Sequence, residues 1–433
     1  MTLKEIENNG IIGAGGAGFP THVKMDSKPD TFIVNAAECE PLLHKDMELL
    51  LNYSDTVISG IKTCLAITGA KRAIVGIKRK HKTVIELLKT KISNNIEIAE
   101  VDDIYPAGDE FTLIYMTTKR VVQPGCLPIS VGCVVQNVET LFNIGNNKSV
   151  VDKYISIAGA VEEPATISVP VGTSYAEVLS KFKITHSEYR VMVGGLMMGT
   201  LVEDLNEVVT KRTGALLVLP KDHVSITTNE KYSTDHAIEI HAKAGCDQCN
   251  FCTELCPRYL LGHPIDPAKS MRNRMFSSEE NPLLSLGSFS CCECNLCTVY
   301  ACPEGLDPRG SAIIEKKILK EQNFKWEGTE VSAHPMIEYR GVPTKSLMQR
   351  LDVLKYEDKG PLKNIMITPL SVRIPLSQHI GAPANPVVSV GLQVKKHDLI
   401  AEISGKISTN IHASIDGVIK EINSNEIIIQ RSN

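Results

Sequence analysis

The reactive side chains of this sequence are concentrated in its cysteines. Thirteen occur in 433 residues, and eight of them fall into two spaced sets. The first is Cys246-x2-Cys249-x2-Cys252-x3-Cys256 followed by Pro257, and the second is Cys291-x2-Cys294-x2-Cys297-x4-Cys302 followed by Pro303. Gaps of two residues let three thiolates of one loop face three corners of an iron–sulfur cube. In two-cluster ferredoxins the fourth cysteine reaches the other cube. At this cysteine frequency, four at fixed spacing arise by chance on the order of once in 10^6 start positions. The spacing predicts two 4Fe–4S clusters, one on Cys246, Cys249, Cys252 and Cys302, the other on Cys291, Cys294, Cys297 and Cys256. Paired structural zinc sites are the competing reading, but zinc asks for two well-separated cysteine pairs, not three crowded thiols. The second motif has one extra residue before its last cysteine, and Cys292 adjoins Cys291; the two x2 gaps favour Cys291. Cys39, Cys64, Cys126 and Cys133 have no ligand spacing, and most read as small buried hydrophobes.

A second group of residues suits a nucleotide. Gly10-Ile-Ile-Gly13-Ala-Gly15-Gly16-Ala-Gly18-Phe19-Pro20-Thr21 is glycine-dense and is followed by Lys24. Glycines let backbone N–H groups close on a phosphate. No clear strand precedes Gly10, so this is not the usual dinucleotide fingerprint, and a flexible entry loop is the plain alternative. Asn35-Ala-Ala-Glu38-Cys-Glu40-Pro41 follows a strand-like run, where ligands collect in α/β sheets. Tyr105-Pro-Ala-Gly108-Asp109-Glu110 sets a glycine beside two acids, and Gln136-Asn137-Val138-Glu139-Thr140 offers amides and a hydroxyl. Such groups suit a flavin ring edge and its ribityl hydroxyls, although each segment alone reads equally well as a solvated turn or cap. His379 and His412 could ligate a metal, cobalt included, but a lone histidine near a turn is more often a hydrogen-bonded structural residue.

These residues need elements to hold them. Up to about residue 145, buried strands (Thr31 to Asn35, Ala73 to Ile77) alternate with amphipathic helices (Asp55 to Thr68, Lys82 to Ile92), which predicts an α/β layer with parallel strands. From about 150 to 225 the order is strand, strand, helix, strand, strand, that of a small β-grasp domain. A helix from Ser311 to Gln322 follows the second cysteine motif; the next stretch is irregular and charged, with a helix near Lys345 to Leu354, and the rest is β-rich. This last part reads like a lipoyl or biotinyl carrier, but its turn, Ile411 to Gly417, has no lysine to modify, so a packing or docking module is expected. The net charge of −4 and the absence of a basic stripe argue against a nucleic-acid partner. No run of about 18 apolar residues predicts a membrane span. The segment Met1 to Asn8 is acidic and lacks a secretory core, so the cysteines are expected in the reducing cytoplasm, where they read as metal ligands.

GAGGAGFPTHVK, NAAECEP, YPAGDE and VQNVET, in this order, resemble the flavin-binding fold of the NADH-oxidising subunit of respiratory complex I. The β-grasp segment, the cysteine motifs with CPRYLLGH from Cys256, and the closing RIPLSQHIGAPANPVVSVG and NIHASIDGVIKEI extend the resemblance to RnfC and, in their order, to the PduS-type cobalamin reductases of propanediol-utilisation microcompartments. The resemblance implies a multidomain α/β protein: a Rossmann-like FMN/NADH-binding domain (1–148), an SLBB-type β-grasp domain (149–230), an α-helical ferredoxin-like segment with two clusters (235–325), a connecting segment (326–365) and a C-terminal barrel-sandwich hybrid (366–433). It implies that Gly13, Gly15, Gly16 and Gly18 form the phosphate- and nicotinamide-facing loop, with Phe19 and Lys24 beside it. Asn35, Glu38, Tyr105, Gly108, Asp109, Glu110, Asn137 and Thr140 would surround FMN, and Glu40 would face NADH. Relative to the complex I pattern the loop lacks an arginine, Ala37 stands in place of an acid, and Asp109 replaces a glutamate. The implied activity is electron transfer from NADH through FMN and both clusters to cobalamin. The implied partners are a cobalamin adenosyltransferase and a shell protein, inside a bacterial microcompartment. An RnfC-like subunit feeding another reductase or ferredoxin, or a non-enzymatic iron–sulfur sensor, are the alternatives.

Overall fold

A computed structural model of the chain describes residues 1–276 and 286–432; residues 277–285, within the expected cluster segment, and Asn433 lie outside the described residues. In the N-terminal unit, strands β1 (Thr31–Ala36), β2 (Arg72–Lys78) and β3 (Ile96–Val101) are followed by a short β4 (Ile104–Tyr105) and by β5 (Cys133–Asn137). Four of them form one parallel sheet in the order β3-β2-β1-β5. The chain therefore winds outward from β1 to β3 and returns to lay β5 on the other side of β1. That reversal opens a crevice at the carboxyl ends of β1 and β5, the position where open α/β sheets hold ligands. Asn35 and Asn137 are register partners there.

Helices α1 (Leu3–Asn8), α2 (Thr21–Met25), α3 (Lys45–Thr68), α4 (Lys82–Lys89), α5 (Glu110–Thr118) and α6 (Val138–Asn146) complete this unit. Helix α3 starts ten residues earlier than its apolar period suggests, because its first turns bury Lys45 and Asp46 and a non-helical Tyr53 interrupts it. Helices α3 and α6 cross through glycines. A Cβ on Gly60 would lie 2.0 Å from the Leu141 carbonyl oxygen, and one on Gly145 would lie 1.9 Å from that of Thr56.

Strands β6 (Asp152–Gly159), β7 (Ala165–Pro170), β8 (Tyr189–Val193), β9 (Thr200–Leu201) and β10 (Ala215–Pro220), with helix α7 (Tyr175–Leu179), form a second unit. Its sheet order is β7-β6-β10-β8-β9; β10 runs parallel to β6 and the other pairs are antiparallel. Helices α8 (Val224–Lys231), α9 (Asp235–Gly245), α10 (Phe251–Glu254), α11 (Pro257–Leu260), α12 (Pro267–Phe276) and α13 (Pro308–Glu321) carry the cysteine loops.

The irregular connecting stretch is largely exposed but packs as a strap over residues 342–353, where the helix expected near Lys345 to Leu354 is found. Its β11 (Val342–Pro343) pairs with β4, and its helix α14 (Thr344–Arg350) buries Leu347 and Met348 against Tyr105, Leu296 and Leu217. Its apolar residues are too widely spaced to reveal this pairing in the sequence. The strands from β12 (Ser371–Pro375) to β18 (Glu426–Arg431) form two small sheets around Ile374, Ile400, Ile419, Ile427 and Ile429. His379 and His412 are buried there. Nε2 of His379 faces the carbonyl of Ala382 at 2.9 Å, and burial lowers the pKa of His412 to about 3. Among the described residues, neither belongs to a group that could hold a metal ion.

Gly60→Val should overpack the crossing of α3 and α6 and cost about 1–3 kcal/mol. Calorimetry would register this as a lower first unfolding transition; an unchanged transition would mean that the helices separate freely.

Candidate functional site

The cysteines assemble into two sets, each drawing three from its own motif and the fourth from the other. One cavity is bounded by Cys246, Cys249, Cys252 and Cys302, with Met271, Leu306 and Pro308 behind them. Cys256 lies within electrostatic range of Cys291, and Cys297 within range of both. Cys297 also feels Cys252, so it marks the side on which the two sets approach each other. Burial first, then neighbouring sulfurs, pushes Cys252 up to about 12 and Cys291 up to about 11. These thiols are protonated at neutral pH, and metal assembly must release protons. The thiols line cavities and do not converge on a point: among the described residues no three His, Cys, Asp or Glu side chains could share one ion. Backbone N–H groups of Glu293 and Leu306 lie 3.4 Å from the sulfurs of Cys291 and Cys302, donors of the kind that stabilise cluster sulfur.

The two loops share a backbone. Gln248 and Asn250 take positive φ (57° and 71°), as do Glu293 and Asn295 (60° and 67°). These positions flank the middle cysteine of each motif, so Cys291 precedes its loop's turn by the same interval as Cys246, while Cys292 lies partly buried beside Cys256 and Cys294. The residue inserted before Cys302 is absorbed by a π-helical turn, Cys297–Ala301, in which the Cys302 N–H reaches the Cys297 carbonyl. Each loop is latched to the following helix in the same way. The hydroxyls of Thr253 and Thr298 donate to Asp266 and Asp307, both at 2.6 Å, and accept from the N–H groups of Ala268 and Arg309. Sequence reading missed these residues; their signal is a Cys-Thr pair and an Asp-Pro helix start after each motif. Of the unassigned cysteines, Cys64 and Cys133 are buried, Cys39 is partly buried and Cys126 is exposed.

At the crevice between β1 and β5, four segments distant in sequence meet. The Ala14 N–H donates to Thr140 Oγ1 at 2.9 Å, and a Cβ on Gly15 would lie 3.4 Å from that of Asn137. Asn35 Nδ2 donates to the Gly108 carbonyl at 2.8 Å, and a Cβ on Gly108 would lie 2.9 Å from the Ala37 carbonyl oxygen. Lys24 and Glu110 form an ion pair at 2.6 Å. Gly13 N–H donates to the Phe19 carbonyl, closing a loop whose tip, Gly15 to Ala17, is exposed. Among the described residues, the amides of Gly15 to Phe19 have no partner. Consecutive free amides of this kind form an anion nest. Glu38 also has a buried, unpartnered oxygen, and burial, then Asp46, pushes its carboxyl up to about 7. Free amides, side-chain amides and an unpartnered carboxyl fit a phosphorylated flavin.

Three of the expected flavin or NADH residues reach elsewhere. Tyr105 is buried and donates from its hydroxyl to the Cys294 carbonyl at 2.7 Å. Asp109 caps α5 and pairs with Arg258 at 2.8 Å, while the Arg258 guanidinium lies 3.9 Å from the Phe111 ring centre. Both oxygens of Glu40 accept backbone N–H groups, those of Met197 (3.0 Å) and Met198 (2.9 Å), so its facing NADH would require these bonds to open. Behind the crevice, a charge network missed by sequence reasoning joins Lys45 to Asp46 and Glu139, and Glu139 to Lys153. Burial opposes a charge on Lys45, but Asp46 and Glu139 outweigh it and raise its pKa. Asn137 Nδ2 donates to Asp46 at 2.6 Å, which connects this network to the crevice. The sequence signal is Lys45 itself, a cation at a helix start, where the dipole disfavours it.

A nucleotide crevice and a twin cysteine nest in contact with each other define a flavin and iron–sulfur electron-transfer protein. Comparison with known families agrees: residues 6–146 match the Nuo51 FMN-binding domain, 245–307 a 4Fe-4S dicluster domain, and 355–432 the RnfC barrel sandwich hybrid domain. The chain belongs to the cobalamin reductase PduS family. It is 38% identical over 428 residues to Cobalamin reductase PduS of Salmonella typhimurium, covering 98% of this chain and 94% of that one. It is also 38% identical over 440 residues to that of Citrobacter freundii, covering 100% and 97%. One subunit of the Na(+)-translocating ferredoxin:NAD(+) oxidoreductase complex of Acetobacterium woodii is 32% identical over 291 residues, 64% of this chain and 62% of that protein.

Cys302→Ser should remove roughly half of the bound iron, because it empties one nest of its fourth ligand; iron and sulfide analysis checks this, and full iron content would reassign the ligand. Glu38→Gln should stabilise the protein at high pH. A carboxyl with its folded pKa raised to about 7 costs nothing below its usual value of 4.5, and its burial penalty grows as pH rises through that window. Urea midpoints of the two proteins should therefore coincide near pH 5 and separate by pH 8; parallel curves would show that Glu38 ionises freely.

Proposed function

We propose that this chain takes electrons from NADH and delivers them, one at a time, to cobalamin. FMN, when bound, would exchange a hydride for single electrons, and two 4Fe–4S clusters would carry these onward. The observation that carries the reading is the hydrogen bond from Tyr105 to the Cys294 carbonyl, since it sets the flavin-facing segment directly on a cluster loop. On this reading the parallel sheet is a Rossmann-like FMN/NADH domain (1–148), the mixed sheet an SLBB-type β-grasp (149–230), and residues 235–325 the two-cluster segment. The segment 326–365 is the strap, and 366–433 the hybrid.

Each group then has a task. The amides of Gly15 to Phe19, with Lys24 nearby, neutralise phosphate. Asn35 and Asn137 hold the ring edge, and Gly108 and Thr140 shape the wall. Glu38, with its pKa raised toward neutrality, exchanges the proton that accompanies hydride chemistry. Arg258 and Asp109 fix the distance from this crevice to the buried nest of Cys291, Cys294, Cys297 and Cys256. Cys246, Cys249, Cys252 and Cys302 form the outer nest. Cobalamin reduced to Co(I) is quickly reoxidised if released, so a cobalamin adenosyltransferase is the proposed receiving partner. A microcompartment location and a shell-protein contact are proposed on the family resemblance.

Anaerobic titration with NADH, followed by absorbance, EPR and then cobalamin addition, tests the reading. Expected are bleaching of a flavin band, two interacting cluster signals, and cobalamin reduction. Clusters that ignore NADH would make the chain a relay fed by another donor. Reduction of a dye but not of cobalamin would favour a different acceptor, as in the alternative of an RnfC-like subunit.

A further inference from the structure

The glycine loop is held from outside by two other units of the chain. Arg212, on the turn leading into β10, donates from Nε to the Gly16 carbonyl at 2.9 Å. Its neighbour Lys211 is buried and donates from Nζ to the carbonyls of Gly10 (2.7 Å) and Asn410 (3.1 Å), while its amide donates to Gln378 Oε1 at 3.0 Å. From the C-terminal hybrid, the Ile380 N–H donates to the Gly18 carbonyl at 3.1 Å. Three carbonyls of the glycine segment are thus drawn outward.

The amides respond to this pull. In a trans peptide, C=O and N–H point in opposite directions. Drawing the Gly16 carbonyl toward Arg212 turns the Ala17 N–H away from it, and drawing the Gly18 carbonyl toward Ile380 does the same for the Phe19 N–H. The φ values of +120° at Gly16 and +72° at Gly18 are open to glycine and strained for other residues. A Cβ on Gly18 would also lie 2.8 Å from Arg212 Cδ. The free amides of Ala17 and Phe19 face as they do because the carbonyls of Gly16 and Gly18, which share their peptide planes, are held on the other side.

We propose that Arg212 is a positioning residue that orients the Ala17 amide, as Ile380 orients that of Phe19, within a nest of Gly15 to Phe19 for a nucleotide phosphate, so that phosphate binding by the N-terminal unit depends on the docked second unit and hybrid. The inference rests on the reading of that unit as a nucleotide site. The phosphate belongs either to FMN or to NADH, and the measurement separates the two.

The test uses the full chain with its clusters in place. Dissociation constants for FMN and riboflavin are measured by flavin fluorescence, and the KM for NADH by dye reduction. If the nest holds the FMN phosphate, Arg212→Ala weakens FMN at least about tenfold, the scale of one charge-assisted hydrogen bond, and leaves riboflavin unchanged. If it holds the NADH pyrophosphate, the loss falls on the KM for NADH and both flavins are unaffected. Arg212→Lys, whose ammonium still reaches a carbonyl, recovers most of either loss and guards against misfolding, with iron content as the check. Unchanged values for all three ligands overturn the proposal, as does an equal loss for FMN and riboflavin, which would mean general loosening of the loop. A wild-type chain that binds neither FMN nor NADH defeats the functional reading itself, and this inference with it.

Discussion

A buried charge is tolerated in a protein interior only with a partner, and the partner's position is then no longer free. Asp109 and Arg258 are such a pair, 2.8 Å apart and largely shielded from water. Asp109 begins α5 at the edge of the nucleotide crevice, and Arg258 stands two residues after Cys256. Removing either partner would leave the other buried and uncompensated, at a cost of about 3–5 kcal/mol. Phe111 stacks under the guanidinium and Tyr105 reaches the Cys294 carbonyl beside it, so the joint is held by charge, ring and hydroxyl together. Electron transfer depends steeply on distance, and this joint keeps the distance from varying.

The other units hold that joint in place. The strap brings α14 against Tyr105, and Thr344 Oγ1 accepts from buried Lys78 at the end of β2. Glu40 ties the loop after β1 to the second unit through two backbone amides. Glu139 connects α6 with α3 and β6 through Lys45 and Lys153. These polar ties surround a shared apolar cluster in which Tyr105, Leu217, Leu296 and Leu347 meet; the cluster holds the units together, and each polar pair specifies one arrangement of them and disfavours sliding.

Much of the site was legible before the fold was known. Cysteine spacing is a local property, and it favoured Cys291 over Cys292; the left-handed residues on either side of the middle cysteine repeat in both loops in that same register. The strand that ends near Asn35 was readable because β-branched runs mark buried parallel strands; β5, which brings Asn137 beside it, was not read as a strand. The destinations of Tyr105, Asp109 and Glu40 were not readable. Each lies in a segment that pointed to a ligand, and each is satisfied by a residue more than a hundred positions away. The helix of the strap was legible, but its pairing with β4 was not, because a two-residue strand has no periodicity to detect. Lys45 was hidden because only one of its counter-charges, Asp46, adjoins it, while the other, Glu139, comes from another helix.

The twin cysteine loops share their backbone and their threonine latches but not their surroundings. Cys249 is exposed, whereas Cys294, Cys297 and Cys256 are buried, and it is the buried nest that touches Tyr105. An added electron is less welcome in the drier nest than in the wetter one, since water screens the charge it brings. Two copies of one loop thus sit at different depths, so a cluster held in each would meet a different degree of screening by water, and the duplication does not make the two sites equivalent.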